Sequence, residues 1–324
     1  MQEAPTPDGK PGPAHARSGP PTVTSRVEPI RSWRGHFARI WTYASGPYAP
    51  PVRSDAWGRF SYGMAQPLLG ARLMLRDRSL LGAALAPVIG VALVCLLSAL
   101  RKADDGALAV VIAFVVTFGA LIPVPPVLFA RFYARIAAKA RNDLGLGPCT
   151  PYLKPISQSF GESIAQIVII AIGVVPLTLA VSLAPLWGAV LAFAVQAVWT
   201  LHWIVVEGLD SARTLEPGQT VESVSAEERA QRSTPWFMRV HDSPMPSWLR
   251  LVLLPLRVTS EIVMGLSREW SPEMKIVERN PWLSSGFGVG TVILLSIPGV
   301  NLFFRPAMAI AGMHLRTRID REPG

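Results

Sequence analysis

The sequence predicts an all-α integral membrane protein, in which several transmembrane helices are joined by proline-broken or re-entrant helical hairpins. The main observation is a set of four long, uncharged apolar runs, at residues 79–100, 106–130, 164–206 and 281–304. A helix needs about 20 apolar residues to cross roughly 30 Å of hydrocarbon. In that layer a helix satisfies its own backbone hydrogen bonds. A large soluble helical protein is the alternative, and uncharged runs of this length disfavour it.

The composition agrees with a membrane protein. Hydrophobic residues make up 50% of the 324 residues, charged residues make up 16%, and the mean hydropathy is +0.34. The two cysteines, Cys95 and Cys149, form no CxxC pair, which argues against a disulfide framework or a zinc site. No nucleophile elbow or P-loop is visible, so we expect no enzyme, no metal and no other cofactor. The net charge of +9 fits lipid contact better than nucleic-acid binding.

Residues 1–58 are predicted to form an N-terminal tail. Its first 30 residues are rich in Pro, Gly and polar side chains, a composition typical of disorder. From residue 31 the tail is basic and aromatic, which is typical of segments at the lipid headgroup level. Stacking on single-stranded nucleic acid is the alternative for this mixture.

Residues 59–213 are predicted to form the first part of the membrane domain. The first two apolar runs are joined by the short link 101–105. The third run is long enough for two crossings, with helices from about 161 to 182 and from about 186 to 206. Pro176 and Pro185 mark the predicted break, because proline removes a helical hydrogen bond. Shallower insertion, with this break inside the bilayer, is the alternative.

Residues 214–280 are predicted to form a polar cytoplasmic insertion with an amphipathic helix. That helix, at 246–270, alternates an apolar face with Arg and Glu and suits the membrane interface. A small soluble subdomain is the alternative for this segment.

Residues 281–315 are predicted to form a C-terminal membrane hairpin of the same domain, followed by a basic tail at 316–324. Pro298 and Gly299 divide the segment into arms of about 15 residues, each reaching about 22 Å at 1.5 Å per residue. Each arm is shorter than the hydrocarbon layer. A re-entrant hairpin would return the basic tail to the side from which it came.

The arginine distribution predicts the orientation. Basic residues lie just before the first apolar run and just after the second, whereas the link between them carries as many acidic as basic residues. By the positive-inside rule, both termini and residues 207–280 face the cytoplasm. We expect a multi-pass protein of a bacterial inner membrane, with its N-terminus cytoplasmic.

Four stretches of the chain resemble a known family. They are the segments 60–87, 123–145, 198–212 and 287–315, and the last of them contains IPGVNLFFRPAMAIAGMHL. Together they resemble the CysZ sulfate-permease family, whose domain also includes etoposide-induced proteins of the eukaryotic endoplasmic reticulum. The resemblance implies a helical membrane fold and sulfate permeation. The chain departs from the family in its longer segment near 215–278, and the family's Gly-Leu-Arg sulfate element corresponds here to Gly70-Ala71-Arg72.

Four residues are candidates for anion binding. Arginine offers several donors in a fixed geometry, which makes Arg72 and Arg76 candidates beside Gly70, where backbone approach to an oxyanion is possible. Arg305 lies inside an apolar segment, and an intramembrane arginine is a functional candidate because its burial is costly. Anchoring at lipid headgroups and helix packing are the structural alternatives.

Three residues are candidates for a pore or hairpin apex, namely Pro298, Gly299 and Asn301. Asn301 can either line a pore or satisfy backbone groups freed by the proline. Glu207 and Asp210 close the third apolar run, where they form a helix end or take part in proton coupling, and the sequence does not assign their basic partners.

These features predict a CysZ-like membrane permease or channel for a small inorganic anion such as sulfate. Its expected partners are the lipid bilayer, the anion and further copies of itself in a homo-oligomer, with no nucleic acid. The alternative is a non-transporting membrane scaffold or assembly protein. The long 207–280 segment favours the alternative, because it adds interaction surface that permeation does not need.

Overall fold

The structure is a computed structural model that describes most of the chain, and most of the described residues are helical. The residues that it describes are 33–46, 55–121, 125–182, 187–230, 232–244, 246, 254–296 and 301–321. The helices of the first half are α1 Trp33–Ser45, α2 Ala56–Arg76, α3 Arg78–Leu100, α4 Ala107–Leu121, α5 Pro125–Asp143, α6 Ile156–Ser182 and α7 Gly188–Asp210. Those of the second half are α8 Val221–Ala230, α9 Trp236–His241, α10 Leu254–Leu266, α11 Ser271–Arg279, α12 Pro281–Leu295 and α13 Asn301–Arg321.

Short elements complete the described structure. Turns of 3₁₀-helix span Ala103–Asp105 and Arg268–Trp270. The strands β1 Thr150–Pro151 and β2 Thr214–Leu215 pair antiparallel, with Thr150 opposite Leu215. This pairing joins the segment before α6 to the segment after α7.

Three of the described helices are long and apolar enough to cross a membrane. They are α3, α7 and the Ile156–Gly173 part of α6. The Ala107–Phe118 part of α4 is apolar but shorter, and so is α12. The all-α prediction is therefore confirmed, and the membrane-length helices fall in two of the four apolar runs.

Apolar side chains on these helices face outward. Leu93 on α3 is 53% exposed, Leu108 on α4 is 73% exposed, and Phe193 on α7 is 73% exposed. Many large apolar side chains exposed on such helices favour contact with a membrane or with another protein.

The structure describes the second apolar run, 106–130, on both sides of residues 122–124, which lie outside the described residues. Helix α4 is Ala107–Leu121 and α5 is Pro125–Asp143. At 1.5 Å per residue, the 15 residues of α4 extend about 22 Å. Pro125 and Pro126 lie in the first turn of α5, a position that suits proline.

The third apolar run forms two helices, α6 and α7, close to the predicted limits. Pro176 does not break the chain where we expected, because it lies within α6. Pro185 lies outside the described residues. The start of α6 and the end of α7 lie at the same end of the pair, as a helical hairpin requires, since Lys154 contacts both Glu162 and Asp210.

Helix α2 lies at the centre of the fold and packs most extensively against α12 and α13. Asp55 caps its start, with a side-chain oxygen accepting from the N–H of Gly58 at 2.9 Å. The approach of α12 is very close, because a Cβ on Gly286 would lie 2.0 Å from the carbonyl oxygen of Phe60. Small residues permit such contacts between helices.

A buried polar pair fixes the packing of α13 on α2. His314 Nδ1 lies 2.7 Å from Gln66 Oε1, and both side chains are fully buried. The Gln66 amide also donates to the carbonyl of Tyr62. A satisfied polar pair in an apolar interface favours one register over the others.

Helices α12 and α13 of the C-terminal segment have their outer ends close together, and the re-entrant membrane hairpin stays a prediction. Arg316, near the end of α13, lies 2.7 Å from Glu273 of α11, which directly precedes α12. The start of α12 and the end of α13 are therefore close together. Helix α12 has the expected 15 residues, whereas α13 continues through the basic residues after 315 to reach 21.

Parts of the predicted tail and insertion are folded onto these helices. Helix α1 packs on α2, with Tyr43 buried in an edge-to-face contact with Tyr62. Of the amphipathic helix predicted at 246–270, the structure describes α10, which packs on α6 and α9. Residues 247 to 253 lie outside the described part of the chain.

Candidate functional site

The Arg72 side chain has a structural role, because its hydrogen bonds go to backbone carbonyl groups of the protein. Its Nη1 donates to the carbonyl oxygens of Ala44 at 3.1 Å and of Gly46 at 3.3 Å. These carbonyls lie at the end of α1 and lack partners within that helix. Arg72 therefore fastens α1 to α2.

Gly70 is a packing residue in this structure. A Cβ at this position would lie 2.2 Å from the carbonyl oxygen of Ala307, so α13 covers its face. Arg76 lies on the surface, in a cleft that it shares with Asp77 and Asp143. Gly70, Arg72, Arg76 and Arg305 thus have different surroundings, and no single described cavity is lined by all four.

Arg305 has a carboxylate partner. Its Nη1 lies 3.2 Å from Oε1 of Glu207, and the two side chains are 19% and 26% exposed. The other carboxylate oxygen of Glu207 accepts from Nε2 of Gln166 at 3.0 Å. This chain of contacts joins α6, α7 and α13.

The predicted hairpin apex is described only at its edge. Pro298 and Gly299 lie outside the described residues. Asn301 is the first residue of α13. The apex therefore remains a sequence prediction, while the two ends of the hairpin are seen to meet.

Next to the Glu207 pair lies a second charged group, centred on Lys154. The Lys154 ammonium lies 2.8 Å from Glu162 and 2.8 Å from Asp210. Burial alone would lower the pKa of Lys154, but the Asp210 and Glu162 carboxylates outweigh it and hold that pKa well above its ordinary value. The two carboxylates therefore favour the charged form of Lys154 in the interior.

Arg213 continues the charged group towards the second half of the chain. It contacts Asp210 and Glu228, and its Nε lies 3.1 Å from Glu273. Glu273 is fully buried and also contacts Arg316. Burial alone would lower the pKa of Arg213, but Glu273, Asp210 and Glu228 raise it above its usual value. The polar segment after α7 is thus bound to the apolar helices by ion pairs.

A small polar cavity lies between the two charged groups. Its volume is about 60 Å³, which gives room for a small ion or a few water molecules. The residues that line it include Arg131, Lys154, Ser159, Glu162, Ser163, Gln166, Glu207 and Asp210. Arg131 lies on α5, is exposed, and makes no ion pair within the part of the chain that the structure describes.

This arrangement can bind and exchange small ions. Hydroxyl, amide and guanidinium groups donate hydrogen bonds to an anion, and Lys154 and Arg131 contribute positive charge. The carboxylates hold the cations in place, so an anion must compete with them for Lys154. Charged groups are expensive to bury beside apolar helices, and here each buried charge has an opposite charge within contact distance.

Sequence reasoning found part of this site. It singled out Arg305, Glu207 and Asp210 but did not pair them, and it did not select Lys154, Glu162 or Gln166. Gln166 was visible as a polar interruption of an apolar run. Nothing in the sequence distinguished Lys154, because it lies in the polar segment between β1 and α6. The position of that segment depends on the pairing of β1 with β2.

Among the described residues, no group of three or more His, Cys, Asp and Glu side chains is arranged to hold a metal ion. Comparison with known proteins gives no further assignment. No protein-family model, curated protein or solved structure matches the chain.

Proposed function

We propose that this protein is a membrane permease or channel for a small inorganic anion such as sulfate, similar to the CysZ family. The observation that supports the proposal is the charged cavity lined by Arg131 and Lys154, at the meeting point of α5, α6 and α7. Two of these helices are of membrane length, and their outer faces are apolar. In this proposal α3 crosses the inner membrane of a bacterium and the 106–130 run returns the chain, and α6 and α7 then form a second pair of crossings. Helices α12 and α13 form a re-entrant hairpin.

The cavity has a defined role in the proposal. An anion that arrives from the polar end first meets Arg131, which has no carboxylate partner among the described residues. It then exchanges with Glu162 or Asp210 at Lys154. Arg305 forms an ion pair with Glu207 beside this route and contributes to the electrostatic potential there. The bilayer and further copies of the chain are the expected partners.

The test is uptake of radiolabelled sulfate into proteoliposomes. Arg131→Gln removes the unpaired cation of the cavity, and a charge-assisted hydrogen bond of about 1.5–3 kcal/mol corresponds to a loss of roughly tenfold or more in anion binding. The matched control is Arg135→Gln, one helical turn further along α5, because Arg135 is exposed and does not line the cavity.

We expect Arg131→Gln to reduce uptake at low sulfate concentration and Arg135→Gln to leave it unchanged. Equal effects of the two variants would assign the effect to general surface charge and remove the cavity from the route. A parent protein that transports no sulfate would favour the scaffold function instead.

A further inference from the structure

A second, much larger groove lies in the polar part of the molecule. Its volume is about 1040 Å³, against about 60 Å³ for the charged cavity. It is formed by the start of α2, the end of α5, the segment from Ala212 through α8, helix α11 and the end of α13. Its size is at the upper end of the range for pockets that hold drug-sized molecules. We call it the basic groove.

Five cations line the basic groove, against three carboxylates. Two of the cations are neutralised, since Arg141 lies 3.1 Å from Glu216 and Arg316 lies 2.7 Å from Glu273. The three carboxylates are Glu216, Glu227 and Glu228, and Glu228 is already paired with Arg213.

The other three cations are Arg59, Lys275 and Arg279. None of them makes an ion pair with any carboxylate in the described ranges of the chain. In addition, the Nε of Arg59 is buried and has no hydrogen-bond acceptor there. A buried donor without an acceptor is costly, and an incoming anion would relieve that cost.

We infer that the basic groove binds a phosphate-bearing ligand of nucleotide size. Arginine and lysine are the usual partners of phosphate, and guanidinium groups bind its oxygens through paired hydrogen bonds. Arg59 on α2 and the Lys275–Arg279 pair, which lie four residues apart on α11, supply cations from separate helices. The groove is far too large for one inorganic anion alone. It is distinct from the cavity proposed for permeation, because different residues line the two.

Two sources supply this chemistry, namely a soluble polyphosphate compound and the headgroup of an anionic lipid. The experiment separates them with protein in nanodiscs of neutral phosphatidylcholine, to which inorganic triphosphate is added and its binding measured by calorimetry. A second set of nanodiscs contains phosphatidylglycerol, and native mass spectrometry counts the anionic lipids that stay bound.

There are two test variants. The first is the double substitution Lys275→Gln/Arg279→Gln on α11, and the second is Arg59→Gln on α2. The matched control is Arg268→Gln, because Arg268 is an exposed cation of the same polar segment that does not line the groove. Thermal unfolding of each variant verifies that the fold is retained. Loss of triphosphate binding by about tenfold or more in both test variants, with the control unchanged, supports a soluble ligand.

If triphosphate does not bind but the same variants lose phosphatidylglycerol that the control retains, the source is a lipid headgroup. If neither ligand depends on the groove cations, or if Arg268→Gln has the same effect as the test variants, the inference is wrong. These measurements do not depend on sulfate transport. A negative result for ligand binding in the groove is therefore independent of a negative result for permeation.

Discussion

Arg305 Nη1 lies 3.2 Å from Glu207 Oε1, which joins two residues that are far apart in sequence and come from two helices with apolar surroundings. The pair satisfies both charges, because Glu207 also receives a hydrogen bond from Gln166. Removing one partner leaves a half-buried charge without its counterion, and this is expensive where water is scarce.

The first prediction concerns this pair. Arg305→Gln and Glu207→Gln should each lower the free energy of unfolding by about 1.5–3 kcal/mol, the value of a charge-assisted hydrogen bond. The double variant should lose less than the sum of the two, because each single change already removes the contact. Unfolding in detergent measures the three values, and simple additivity would show that the residues do not interact.

The second prediction follows from the raised pKa of Lys154. A cation with a raised pKa in the folded state contributes stability that is fully present below its ordinary pKa, near 10.4, and is lost only as the pH rises through the folded value. The destabilisation caused by Lys154→Gln should therefore be the same at pH 7 and at pH 9. A cost that shrinks between these two values, measured by thermal unfolding, would mean that Lys154 titrates in this range and is not held by Asp210 and Glu162.

The third prediction tests the packing of α12 on α2. Gly286→Ala places a Cβ 2.0 Å from the Phe60 carbonyl oxygen, so the helices must separate, at a cost of about 1–3 kcal/mol. The control is Gly82→Ala on α3, where no atom lies within 4 Å of an added Cβ. That change should leave stability unchanged or raise it by about 0.5–1 kcal/mol. Similar behaviour of the two variants would contradict the close approach at Gly286.

The sequence predicted the fold better than the site, for physical reasons. Apolar runs without charge predicted α3, α6, α7 and α12, because helix length and hydropathy are local properties. The prolines near 123–126 were noticed, but that Pro125 and Pro126 begin the helix α5 was not predicted. A proline can end, kink or begin a helix, and tertiary contacts decide among these outcomes.

The site depends on long-range contacts that a single sequence does not contain. Arg72 looked like an anion ligand beside Gly70, yet the carbonyl groups that it meets belong to α1, 28 and 26 residues earlier. Gly70 meets Ala307 for the same reason. Lys154 became a central residue only through Asp210, which lies 56 residues further along the chain.

The fourth prediction concerns orientation. With Cys95 and Cys149 replaced, Asp104→Cys should react with an impermeant maleimide on intact cells, since the arginine distribution predicts that the 3₁₀ turn between α3 and α4 lies on the outer side. Ala226→Cys, an exposed position on α8, should react only after the membrane is permeabilised. The reverse pattern would invert the topology predicted from the arginine distribution.

The central claim is that the protein conducts a small inorganic anion, and sulfate counterflow tests it most directly. Proteoliposomes loaded with unlabelled sulfate are diluted into a trace of labelled sulfate, so that exchange carries label inward without an added energy source. If the protein conducts sulfate, label enters much faster than into protein-free liposomes, and external unlabelled sulfate suppresses its entry. Entry at the protein-free rate, in vesicles whose protein is still folded, would show that the protein is not a sulfate permease.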